Sequence, residues 1–157
     1  MQISIRLTAD LKHIPRVKQK MHNTADLFNS VCYMPHATGE DALANRVALE
    51  LKALFQEGKL NCIWFHVPNE TMVKTKHDFA CLKKKQCMGM ISGVPDFVFI
   101  KNDEPLTVLV ELKTDKGKLS HNQKLFKKWC DNSNIPYEIA RSWNDVKNAL
   151  TQHGFVK

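Results

Sequence analysis

The chain lacks any pair of cysteines at metal-ribbon or redox spacing. Its five cysteines, at 32, 62, 81, 87 and 130, are an odd number with no Cys-x-x-Cys. Disulfides are not expected without a secretion signal, so most of these thiols read as small buried apolar groups. Cys81, Cys87 and His77 lie near one another, but their spacing does not match common structural zinc sites. Long apolar runs are also missing. The longest uncharged apolar stretches are strand-sized, which excludes the expectation of a membrane-spanning helix. The first ten residues carry no charged segment followed by a long apolar stretch, so no signal peptide is read there and a cytoplasmic protein is expected. Repeats and low-complexity tracts are absent. Acidic residues are in deficit, 16 against 23 basic, and the net charge of +7 favours polyanionic partners without proving them.

What is present suits one domain: 157 residues, 43% hydrophobic and 25% charged. Residues 2–7 alternate like a short strand, and 9–36 are polar and irregular, although Thr24 could begin a short helix. Residues 1–36 therefore read as an N-terminal extension to a domain at 37–157. Leu43, Val47, Leu51 and Leu54 or Phe55 recur at helical spacing from Glu40 to Glu57, where Gly58 stops the helix. A strand at 61–67 ends at Pro68, and a basic helix is expected at 77–86. Ser120 begins another helix, with Leu125, Phe126, Trp129 and Cys130 on its apolar face. A short strand at 136–140 and a last helix from 143 or 144 to 152, with Val146 and Leu150 inward, complete the order.

Between these elements lies the segment richest in chemistry. Gly93-Val94-Pro95-Asp96 precedes the apolar run Phe97–Ile100, then a polar turn at 101–105, then Thr107–Val110 and Glu111-Leu112-Lys113. The pattern is a β-hairpin. Glu111 and Lys113, two apart on a strand, project from the same face. If Ile100 pairs with Thr107, Asp96 stands opposite Glu111, and both carboxylates can touch one ion. Charges at the end of an apolar hairpin are costly unless paired or metal-bound. Hard cations such as Mg²⁺ and Mn²⁺ suit one or two such carboxylates plus water. The plainer alternative is that Asp96 caps a turn while Glu111 pairs with Lys113.

Gly93-Val94-Pro95-Asp96 followed by Glu111-Leu112-Lys113 resembles the PD-(D/E)XK nuclease signature. The Ser120-His121-Asn122-Gln123 that follows narrows the resemblance to the VRR-NUC group, whose pattern adds Ser-x-x-Gln. Pro68-Asn69-Glu70 and Met88-Gly89-Met90 are further matches, and the likeness spans roughly residues 40–150. It implies an α/β fold with a restriction-endonuclease-like αβββαβ core, a mixed central sheet flanked by helices. It implies a Mg²⁺- or Mn²⁺-dependent DNA endonuclease, with Asp96, Glu111 and the Leu112 carbonyl as metal ligands and Lys113 orienting the attacking hydroxide. It also implies action on branched, flapped or four-way junction DNA as in repair, by a homodimer in a bacterial or phage-infected cell.

Several residues keep two readings. Gln123 completes a helix capping box with Ser120, while the family places this glutamine by the active site. The family expects an acid at the start of the helix before the first strand. Glu40 fits that register better, with Glu50 as fallback; ten residues apart, the two cannot share a helix face. Lys116, Lys118, Lys124, Lys84 and Asn69 are the candidate DNA contacts, since phosphate contacts supply most non-specific affinity. His66 reads as a half-buried structural histidine, His77 and His121 as exposed, and Trp64, Trp129 and Trp143 as core. A catalytically silent nucleic-acid-binding domain and a protein-interaction factor are the competing functions.

Overall fold

A computed structural model describes residues 28–68 and 75–157. The strand expected at 2–7, the short helix at Thr24, and Asn69 and Glu70 lie outside the described residues.

The order is α1 (Gly39–Gln56), β1 (Cys62–His66), α2 (Lys76–Cys87), β2 (Phe97–Lys101), β3 (Thr107–Leu112), α3 (His121–Asn132), β4 (Tyr137–Ala140) and α4 (Trp143–Gln152). The four strands form one sheet in sequence order, antiparallel from β1 to β3 and parallel between β3 and β4. This is the expected mixed sheet flanked by helices. A β3–β4 parallel pair needs a crossover, and α3 supplies it. Ile100 pairs with Thr107 and Phe97 with Val110, the register expected from the sequence.

Period-two alternation sorts β3 between two environments. Val108, Val110 and Leu112 face α1 and α4, joining Val47, Leu51, Phe97, Phe99, Val146 and Leu150 in the main core. Leu109 faces the other way, with Cys130 and Tyr137 beneath Phe126 of α3. Phe155 is fully buried in the main core, and its carbonyl accepts from the Asn61 amide at 2.8 Å, tying the C-terminus to the start of β1. Phe28 stacks on Trp64 (centroids 4.8 Å) and meets Phe55 edge-on.

Four expectations about packing are corrected. Leu125 and Trp129 are exposed, at 54% and 56%. The helix touches the sheet through Phe126 and Cys130, and residues one position away turn about 100° off that narrow line. Trp129 instead flanks the Phe126 ring at 5.9 Å. Only Cys62 and Cys130 are buried; Cys32, Cys81 and Cys87 are exposed. Two of those lie on α2, which has no buried residue and therefore offers a thiol no interior. Burial pushes the Cys62 thiol up to about 12. His66 is exposed rather than half-buried, because β1 ends there and only its ring edge rests on Phe97, 5.1 Å away.

Candidate active site

The site forms where β2 begins and β3 ends. Continuing the β2–β3 register one step beyond Phe97 and Val110 sets Asp96 across from Glu111. Asp96 Oδ2 accepts the Leu112 amide at 2.7 Å, and its own carbonyl accepts from Val67 at 2.8 Å. The carboxylate thus replaces a backbone acceptor at the end of the ladder. Gly93 makes this approach possible. Its φ is +85°, and a Cβ there would lie 2.5 Å from the Asn122 carbonyl carbon. Only glycine lets the loop settle on the first turn of α3.

Glu111 is fully buried. Its Oε1 receives Lys113 Nζ at 2.6 Å and the Gln123 side-chain amide, and its Oε2 accepts from Tyr137 Oη at 3.4 Å. Lys113, 6% exposed, reaches on to Glu40 Oε2 at 3.3 Å, while Glu40 Oε1 takes the Thr114 amide. Glu40 in the first turn of α1 therefore joins the cluster, and Glu50 does not: it pairs loosely with Arg46 on the surface at 3.9 Å. Gln123 makes the expected capping contact and also reaches into the cluster. Its Oε1 accepts from the Ser120 amide at 2.8 Å in the capping box, and its amide nitrogen donates to Glu111.

Electrostatics follow from these neighbours. Burial pushes Glu111 up to about 7, opposed by the Lys113 hydrogen bond and helped by the Asp96 charge. Burial likewise raises Asp96, against the Leu112 amide and the Lys113 charge. For Lys113, burial pulls downward, but the Glu111 hydrogen bond and the charges of Glu111 and Glu40 together raise it. Burial and the negative charge of Glu111 raise Tyr137.

A cleft of about 250 Å³ opens onto Glu40, Asp96, Glu111, Lys113 and Gln123. Three carboxylates face one ammonium, so negative charge is in excess where burial penalises it. Among the described residues, no group of three or more His, Cys, Asp or Glu side chains is placed to hold one ion. The donors are all oxygens, with Asp96 and Glu111 adjacent across two strands. That set fits a hard cation bound through two carboxylates and retaining water, rather than a thiolate or imidazole metal.

Lys116, Lys118, Lys124 and Lys84 are all exposed, the first three on or just after the loop leaving β3 and Lys84 on α2. Asn69 lies outside the described residues. His121 is exposed at the start of α3. Two neighbours of the site escaped the sequence reading. Tyr137 faces Glu111 from β4. Arg141, just past β4, donates to the carbonyls of Thr114 and Gly117 (the latter at 3.0 Å), gripping the turn that follows Lys113. Nothing local marks either residue; both depend on the parallel pairing of Leu112 with Ala140.

A family model described as VRR-NUC domain matches residues 45–144. Neither the curated proteins nor the solved structures gave a match. The matched stretch holds all four strands and the Asp96, Glu111, Lys113 and Gln123 cluster, with Glu40 just before it. Covering more than half of the chain, it shows that this protein belongs to the VRR-NUC family, a nuclease domain family of the PD-(D/E)XK superfamily.

Proposed function

We propose that the protein is a Mg²⁺- or Mn²⁺-dependent endonuclease that hydrolyses phosphodiester bonds in DNA, selects branched, flapped or four-way substrates, and acts as a homodimer. The observation that supports it most is the convergence of Glu40, Asp96, Glu111 and Lys113 on one open cleft. Asp96 and Glu111 would hold the cation, with the Leu112 carbonyl as a third oxygen. When bound, such a cation lowers the pKa of water and neutralises charge on the phosphate.

The chain's own groups do the rest. Lys113, fixed between Glu111 and Glu40, keeps an ammonium beside the point of attack and offers charge to the phosphate oxygens. Gln123 and Tyr137 fix the rotamer of Glu111, so its carboxylate needs no reorganisation when substrate arrives. The exposed Lys116, Lys118 and Lys124 neutralise flanking phosphates. Lys84 and Asn69 are further proposed contacts.

The test is a panel of linear, nicked, flapped and four-way DNAs incubated with Mn²⁺ or Mg²⁺, beside Asp96→Ala and Lys113→Ala. Cleavage should fall by about 10³-fold in both variants, comparable to losing a preorganised charge-stabilising group, while DNA affinity in EDTA changes only a few-fold. Variants that cut like the wild type would remove the proposal. Salt-sensitive binding without cleavage of any form would leave a silent DNA-binding domain instead.

A further inference from the structure

A second cavity, of about 400 Å³, lies on the other side of Glu40 and Asp96. Ala44 and Ala48 of α1, Val31, Cys32 and Met34 of the preceding segment, His66 to Pro68 at the end of β1, and the buried Phe97 and Leu112 all line it. We propose that this cavity receives one unpaired nucleobase of the DNA strand whose phosphate lies in the neighbouring cleft. The proposal rests on the nuclease reading above and names the substrate feature that the same site selects.

Three observations carry it. The cavity adjoins the cleft, because Glu40 and Asp96 line both. A nucleotide whose phosphate meets Asp96 therefore has its base within reach of this opening.

Charge decides what enters. Glu40, Asp41 and Asp96 are the ionisable acids on its wall, and among the described residues lining it there is no lysine or arginine. A phosphate is repelled from such a surface, whereas a neutral heteroaromatic ring is not. Much of the remaining lining is apolar, and its volume falls in the roughly 300–1,000 Å³ range of concave ligand sites. The exposed His66 ring, set against the buried Phe97 ring, supplies aromatic surface at the opening.

The cavity is also built rather than incidental. Asn45 Oδ1 takes the Met34 amide at 2.9 Å and its Nδ2 donates to the Cys32 carbonyl at 2.8 Å. Lys52 Nζ donates to the Val31 carbonyl at 3.1 Å. These bonds pin residues 31–34 across α1, while alanine at 44 and 48 leaves the space beneath them open. A base stacked in duplex cannot reach it; an unpaired or extruded one can, at the cost of unstacking. Flaps and junctions present such a nucleotide already.

The experiment compares three substrates with Mn²⁺: flapped DNA with a base beside the scissile phosphate, the same DNA with an abasic residue there, and bis(p-nitrophenyl) phosphate. Wild-type protein should cut the first about tenfold or more faster than the second, the scale of one base-stacking contact. Ala44→Phe, which fills the cavity, should cut both DNAs at the abasic rate and hydrolyse the small diester like wild type. In EDTA, an unpaired thymine at that position should be protected from permanganate by wild type and not by Ala44→Phe. Equal wild-type rates on the two DNAs, or a thymine equally reactive in both complexes, would overturn the inference without needing the variant to be active. Failure of wild type to hydrolyse the small diester counts against the nuclease reading, while the permanganate result still decides the cavity.

Discussion

The two faces of the sheet solve opposite problems with the same strand. On one, Val108, Val110 and Leu112 join Phe97, Phe99 and the inward residues of α1 and α4, with aromatic rings in contact along it. On the other, Leu109 gives way to Glu111 and then Lys113, and the apolar cluster shrinks to Leu109, Cys130 and Tyr137 with a few partners. The first face removes apolar area from water and stabilises the fold. The second buries a carboxylate whose ionisation costs stability, a cost that the proposed phosphodiester site would account for. The proposed catalytic carboxylate and ammonium thus occupy the side of β3 that the core does not.

Substitutions should therefore separate the faces. Phe99→Ala removes a fully buried ring stacked 6.1 Å from Phe97. It should cost about 3–5 kcal/mol in urea unfolding and leave cleavage by the folded fraction intact. A cost below about 1 kcal/mol would show that this face is not what holds the sheet.

On the opposite face the sign reverses. Burial raises Glu111 from an ordinary 4.5 to about 7, so the folded state binds that proton more tightly than the unfolded chain. Its contribution is fully present below pH 4.5 and is lost as pH rises through about 7. Metal-free wild type should lose about 3 kcal/mol across this window relative to Glu111→Gln, from about 1.4 kcal/mol per pKa unit. The variant should be inactive yet more stable at neutral pH. Parallel pH profiles for the two proteins would break the comparison.

Arg141 tests how far the second face extends. Its guanidinium spans the Thr114 and Gly117 carbonyls, and a lysine cannot bridge both with one ammonium. Arg141→Ala should lower kcat/KM about tenfold, equivalent to about 1.4 kcal/mol, chiefly through a higher KM as the Lys116 and Lys118 turn loosens. Arg141→Lys should restore part of it. A purely structural role would instead lower the melting temperature with KM unmoved.

The sequence was legible where a local rule determined the outcome. Helical spacing from Leu43 to Leu54 located α1, and the match of two apolar runs around a polar turn set the Ile100–Thr107 register. That register placed Asp96 beside Glu111. Ser120 and Gln123 were readable as a cap; helix geometry showed only that Glu40 and Glu50 cannot share a face, and the resembled family's register, with its acid at the helix start, preferred Glu40. What required the assembled sheet stayed hidden. Arg141 and Tyr137 approach the site only because β4 lies parallel to β3, and Phe155 enters the core only because the C-terminus returns to β1. The exposure of Leu125, Trp129 and the α2 cysteines depends on how narrowly α3 touches the sheet and on α2 burying nothing. No periodicity encodes either.

The smallest effect is the most discriminating, because Gln123 serves both the helix and the site. Ser120→Ala removes the hydroxyl that accepts the Gln123 amide at 3.3 Å, but not the backbone N–H that donates to the Gln123 side chain. It should cost about 1 kcal/mol, the usual loss of an N-cap, and change cleavage less than twofold. Gln123→Glu preserves the capping acceptor but sets a second carboxylate against buried Glu111, which loses a donor and gains a like charge. It should therefore depress cleavage far more than it depresses stability. If both variants lose activity in proportion to stability, then Gln123 belongs to the helix alone and the site ends at Lys113.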